Sequence, residues 1–183
     1  MGQKYNEISD NLKQFILDQK IFFVGTATKD SRVNISPKGM DPLRVLDKNR
    51  VVWLNLTGSG NETAAHIDEN PRMTIMFASF SGGPMILRLY GTAKSIHKND
   101  SDWNSIYSLF DPLPGARQIF DLNIDLVHIS CGRGVPFFDY VGERDQLNNW
   151  AKKKGYSGIK EYWKDQNQVS LDGKPTNILE KNT

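Results

Sequence analysis

The chain has a single cysteine, three histidines and no apolar run near the ~20 residues that a membrane-spanning helix needs. Cys131 has no partner for an internal disulfide, which fits a reducing compartment. His66, His97 and His128 are scattered without the spacing of a metal-binding set. An excess of one charge is missing too. The 23 basic and 21 acidic residues leave a net charge of +2, too balanced for nucleic acid to be the main partner. Lys4, Glu7, Asp10, Lys13 and Asp18 break up the first 20 residues, so no secretory leader is expected there. Together these absences lead us to expect a soluble, cytoplasmic protein that binds neither nucleic acid nor membrane.

What remains is an ordinary globular composition, 38% hydrophobic and 10% aromatic over 183 residues. That is one domain, residues 1–183, with room for a sizeable core. Ile8, Leu12, Phe15 and Ile16 recur at helical spacing, with Ser9 or Asp10 as cap, which predicts a helix over residues 9–19. "IFFVGTAT" (21–28) reads as a strand, and "VNIS" as another that two prolines and a glycine end in "PKGMDP". "LRVL" and "VVWLNL" flank "DKNR", a hairpin signal. "RMTIMFASF" (72–80) and "MILRLYGTAKSI" (85–96) are two long strands joined by a Gly-Pro turn. Residues 100–110 suit a helix, "ARQIFDL" a short second one, and "DLVHIS" (125–130) a last strand. Residues 143–154 and 157–164 read as helices separated by Gly155, and the end as loop and tail. Closely spaced strands with short turns predict an antiparallel sheet, which most simply loses its edges by closing into a β-barrel with flanking helices.

Three stretches carry chemistry. In "VVWLNLTGSGNETAAHI" (51–67) a strand gives way to a glycine-rich knot and then to a helix running to about Asn70. One reading is structural: Ser59 and Glu62 form a capping box, and Gly58 and Gly60 supply positive backbone dihedrals. The other is that the free amides at the helix start, with Asn61 and Thr63, hold an anion. In "MILRLYGTA", alternation sets Arg88 on the face of Ile86 and Tyr90, where a guanidinium among apolar neighbours calls for an anionic partner. A snorkelling arginine or an interface salt bridge is the alternative. In "NISPKG", Ser36, Lys38 and Gly39 sit where a strand breaks at a barrel rim, a common place for a ligand.

The order of "VNISPKG", "VVWLNLTGSGNETAAHI", "NPRMTIMF" and "ILRLYGTA" resembles the pyridoxamine 5′-phosphate oxidase-like family over roughly residues 10–98. "SCGRGVPFF", "GERDQLNNWAKKKG" and "VSLDGKPT" resemble an uncharacterised branch of it. The resemblance implies an antiparallel split β-barrel, an FMN cofactor and a homodimer with cofactor sites at the interface. It places Ser36, Lys38 and Gly39 beside the flavin, and Trp53 and Leu54 on the strand leading to the phosphate. Asn61, Glu62 (through its amide) and Thr63 would hold that phosphate, with Arg88 approaching from a neighbouring strand or the partner's side. Two departures stand out. Glu62-Thr63 replace the adjacent basic residues of the true oxidases, and no histidine follows His128, where those enzymes carry an arginine–X–histidine that grips the vitamin phosphate. The expected function is thus an FMN-dependent oxidoreductase acting on a small redox substrate other than pyridoxamine 5′-phosphate. The alternatives are a non-enzymatic flavin carrier, or a haem-binding barrel using His66 or His128.

Overall fold

The computed structural model describes residues 2–183. Its strands are β1 (Gln3–Tyr5), β2 (Phe22–Thr26), β3 (Asn34–Lys38), β4 (Leu43–Asp47), β5 (Arg50–Leu56), β6 (Arg72–Ala78), β7 (Ile86–Ile96) and β8 (Ala116–Ser130). The helices are α1 (Asp10–Asp18), α2 (Glu62–Glu69), α3 (Trp103–Tyr107), α4 (Gln146–Gln166) and α5 (Ile178–Asn182). All strands join one antiparallel sheet in the order β3-β2-β6-β7-β8-β5-β4, with β1 added against β8.

The fold is therefore mainly β, an antiparallel split barrel with flanking helices. The sheet curls until side chains from its two halves meet, while its end strands β3 and β4 stay unpaired with each other. Phe22 of β2 lies edge-on to Trp53 of β5, ring centres 6.3 Å apart, and Trp53 stacks on Phe120 of β8 at 4.8 Å. Val24, Val51, Ile75, Leu87, Leu89 and Leu122 fill the same inner core. Each large side chain buried in this way contributes roughly 1.5–3 kcal/mol.

β5 is covered on both faces. Val51 and Trp53 face the main core, whereas Val52 and Leu54 pack with Ile96, Trp103, Phe110 and Ile119 beneath α3. This is why "VVWLNL" shows no apolar–polar alternation. Gly91 marks a register shift between β7 and β8, where a Cβ would run into the Asn123 carbonyl oxygen. Only glycine permits that approach.

Four local expectations are corrected. "ARQIFDL" is not a helix: it opens β8, a 15-residue strand that continues through "DLVHIS". Its first seven residues are all buried, and a run with both faces covered carries no period to separate helix from strand. Pro37 does not end β3 but lies within it, paired with Phe23, because β3 is an end strand and the missing N–H costs no ladder bond. The helix expected over residues 100–110 shrinks to the five residues of α3. The C-terminal tail is folded: α5 buries Ile178, and Val169 bridges to Pro175. Gly155 does break α4, with φ of 65° and ψ of 178°.

Candidate functional site

Beyond Leu56 the chain leaves the sheet through Thr57-Gly58-Ser59-Gly60-Asn61 and enters α2 at Glu62. This loop, the inward side of β3 and the start of β8 enclose a pocket of about 290 Å³. β3 contributes Asn34, Ser36 and Lys38, while the alternate residues Val33 and Ile35 point outward and are 69% and 67% exposed. β5 contributes Asn55 and Leu56, and β8 contributes Arg117.

The expected capping box does not form. Asn61, with φ of −141°, is the N-cap of α2, and its side chain makes no cap hydrogen bond. Its Oδ1 instead accepts from Gln118 Nε2 at 2.7 Å, and its buried Nδ2 has no partner among the described residues. Neither Gly58 nor Gly60 has a positive φ. At Gly60 a Cβ would meet the Glu62 carboxylate, which folds back over it and would have to swing aside. The first-turn amides of α2, which a helix leaves without internal partners, thus receive no side-chain cap.

Two cations stand beside this helix start. Arg117 is 3% exposed and donates through Nη1 to the Gly60 carbonyl at 3.0 Å and to Asn167 Oδ1 at 2.9 Å. Its Nε is buried without a partner among the described residues. Burial pushes the Arg117 pKa down to about 9, opposed by the charge of Glu62. The half-buried Lys38 ammonium lies 5.1 Å from the centre of the Trp53 ring. Burial, then the charge of Arg117, push its pKa down to about 8, again opposed by Glu62. Two desolvated cations against one carboxylate, with buried donors left open, form a site complementary to an anion. Such donors, a helix start and a guanidinium fork are the groups that fit a phosphate monoester, including the phosphate end of a flavin mononucleotide.

Of the residues singled out in the sequence, Ser36, Lys38, Asn61, Glu62 and Thr63 come together around the pocket. Thr63 Oγ1 accepts from Asn34 Nδ2 at 3.2 Å. The other four lie elsewhere. Gly39 sits past the pocket near the Lys20 carbonyl and Glu143. Trp53 is fully buried beneath Lys38, and Leu54 packs under α3. Arg88 lies on the outer face of the sheet, in a shallow groove with Phe23, Val33, Ile35 and Met76, where its Nη1 donates to Ser130 Oγ at 3.0 Å. The Asn34 and Asn55 amides, Arg117, Gln118 and Asn167 were not anticipated. His66 is 1% exposed, with Nδ1 3.1 Å from Thr26 Oγ1. His128 stands opposite Arg88 on β8.

Comparison with known proteins bears on the family and the fold. The family model described as pyridoxamine 5′-phosphate oxidase matches residues 8–131. The chain is 37% identical to the pyridoxamine 5′-phosphate oxidase family protein ustO of Aspergillus flavus, over 93% of this chain and 76% of the relative. Among solved structures, HupZ of Group A Streptococcus shares the fold, with a TM-score of 0.54 and 18% identity, covering 65% of this chain and 91% of that one. A solved structure from Lactobacillus delbrueckii gives a TM-score of 0.53 at 19% identity, covering 67% and 94%.

Proposed function

Since the chain belongs to the pyridoxamine 5′-phosphate oxidase family, we propose that its pocket holds the phosphate of FMN and that the protein is an FMN-dependent oxidoreductase. The observation that carries this reading is the pair of buried donors without partners, Arg117 Nε and Asn61 Nδ2, at the uncapped start of α2. Buried donors are rarely left open unless something else satisfies them. In this reading Arg117 and Lys38 supply the charge, the amides of Glu62 and Thr63 supply oriented dipoles, and Ser36 offers a hydroxyl along the inner side of β3.

When bound, FMN supplies the two-electron redox chemistry, and the protein contributes binding, orientation and electrostatics. The half-buried Lys38 ammonium would give the pocket a second positive charge, beside Arg117, for the cofactor's anionic phosphate. In this reading the substrate is a small redox-active molecule other than pyridoxamine 5′-phosphate, since residues 129–183 hold no histidine for an arginine–X–histidine clamp.

A homodimer belongs to the same proposal. Exposed Val33 and Ile35, with Phe23 of β2 and Met76 of β6, leave an apolar outer face beside β3, the strand that also lines the pocket from within. A second copy docked there would lie directly against the rim of the site, with Arg88 in the contact.

The test is a titration of the purified protein with FMN and, separately, with riboflavin, which lacks the phosphate. Quenching of flavin fluorescence by FMN with at least about ten-fold preference over riboflavin supports the reading. Equal affinity for the two, or no binding of either, overturns it.

A further inference from the structure

The wall behind the pocket comes from the far C-terminus. α4 ends at Gln166, and its last turn brings Trp163 and Asn167, four residues apart, to one side. Trp163 is completely buried and donates from Nε1 to Thr57 Oγ1 at 2.8 Å. Asn167, also completely buried, donates from Nδ2 to the carbonyls of Gly58 at 3.1 Å and Ser59 at 3.4 Å. Its Oδ1 accepts from Arg117 Nη1 at 2.9 Å. The backbone carbonyl of Asn167 is itself held by Thr176 Oγ1 at 2.6 Å.

The direction of these bonds matters. A guanidinium can only donate and a carbonyl can only accept, so one residue must offer an oxygen to Arg117 and an N–H to the loop. A neutral side-chain amide does both. A carboxylate would neutralise Arg117 and repel the two carbonyls, and an ammonium would repel Arg117. With Gly58 and Ser59 drawn towards Asn167 by their oxygens, and the Gly60 oxygen held by Arg117, the carbonyls of three consecutive loop residues are engaged on the protein side. Electronegative oxygens are thereby kept out of an anion site.

We infer that Asn167 is a positioning residue for phosphate recognition, and that the C-terminal segment, outside the residues 8–131 matched by the family model, completes the anion site. Asn167 acts through Arg117 and the glycine loop rather than by touching the ligand. The inference rests on the FMN reading, and phosphate dependence is what separates it from a general role in packing.

The experiment measures FMN and riboflavin affinities of the full chain for the wild type, Asn167→Asp and Asn167→Ser, with far-ultraviolet circular dichroism to establish folding. The expected result is a loss of FMN affinity of at least about ten-fold in Asn167→Asp, a smaller loss in Asn167→Ser, and riboflavin affinity within about two-fold of wild type in both. Unchanged FMN affinity in both variants overturns the role of Asn167 while leaving the FMN reading standing. Equal losses for FMN and riboflavin make the residue structural only and likewise overturn it. A wild type that shows no preference for FMN removes the reading and the inference together. Should Asn167→Asp fail to fold, Asn167→Ser decides alone by the same comparison.

Discussion

The Lys38 ammonium stands 5.1 Å above the ring of Trp53, a contact between the end strand β3 and the doubly covered strand β5. It joins the two halves of the split barrel at the floor of the anion pocket. The cation gains the face of an indole but loses much of its water, and the second effect dominates its pKa, which falls from 10.5 to about 8.

This fixes the sign of a pH effect. The unfolded chain keeps Lys38 protonated up to about 10.5, whereas the folded protein without ligand does so only up to about 8. Between those values the unfolded state binds more protons, so this residue's contribution to stability rises with pH. Below pH 8 its burial is destabilising by about 1–3 kcal/mol after allowing for residual solvent. Lys38→Met is therefore expected to be more stable than wild type at pH 7, with the difference closing by pH 10. Parallel urea titrations of the two proteins at both pH values check this. FMN affinity of the wild type should run the other way and fall as pH rises past 8, because the anion needs the ammonium. A pH-independent difference in stability would show that the folded protein does not perturb Lys38.

Arg117 is the second cation, and its removal should cost both stability and recognition. Arg117→Met leaves the Gly60 carbonyl and Asn167 Oδ1 without their donor in a buried setting, for a loss of roughly 2–4 kcal/mol. Arg117→Lys keeps a charge but loses the guanidinium, whose Nη1 serves both acceptors while its Nε is left open for the anion. Both variants should lower FMN affinity about ten- to hundred-fold, with riboflavin little affected. Isothermal titration of each variant with both flavins measures this. Retention of the FMN preference in Arg117→Lys would mean that charge alone suffices.

These residues also mark how far the sequence could be read. The glycine knot and "NISPKG" drew attention through glycine, hydroxyls and proline, compositional signals that need no partner to be seen, although Pro37 does not in fact break β3. The antiparallel sheet was legible from short turns and dense apolar runs. Arg117 was not, because "ARQIFDL" is buried on both faces and its lack of period allowed a helical reading. As a strand it would have set Arg117 and Gln118 opposite the end of β5, beside the knot. Asn167 was beyond reach for a different reason: its partners lie 50 and 109 residues away, and reading 157–164 as a helix does not say what the end of that helix packs against. Trp53 and Leu54 were placed on the right strand, but its two faces serve two cores rather than the pocket. Arg88 was read correctly as a cation among apolar neighbours, yet β7 turns it outward, away from the helix start.

The outer face offers a separate test. Ile35 is 67% exposed on β3, next to inward-facing Ser36. Ile35→Glu should leave the fold intact, since the side chain is already in solvent, and should split the proposed dimer by placing a carboxylate in an apolar contact. Sedimentation velocity is expected to show a dimer for wild type and a monomer for the variant, with weakened FMN binding if the partner completes the site. Arg88→Ala should weaken the dimer or FMN binding without unfolding the chain. A wild type that sediments as a monomer at tens of micromolar ends the proposal for this face.

The kink in α4 gives the last prediction, and it concerns how the C-terminal segment reaches the pocket. Gly155 adopts φ of 65° and ψ of 178°, a region open essentially to glycine alone. A Cβ there meets nothing within 4 Å, so a substitution would be opposed by backbone strain and not by crowding. Gly155→Ala should cost about 1–3 kcal/mol. The strain is relieved if the two halves of α4 straighten, but that would withdraw Trp163 and Asn167 from Thr57, Gly58 and Ser59. The variant is therefore expected to lose thermal stability and to lose FMN affinity more than riboflavin affinity, although residue 155 lies outside the residues that line the anion pocket. Differential scanning calorimetry with both flavin titrations reads the two effects side by side. Lost stability with unchanged FMN preference would show that the kink serves packing alone and does not set the position of Asn167.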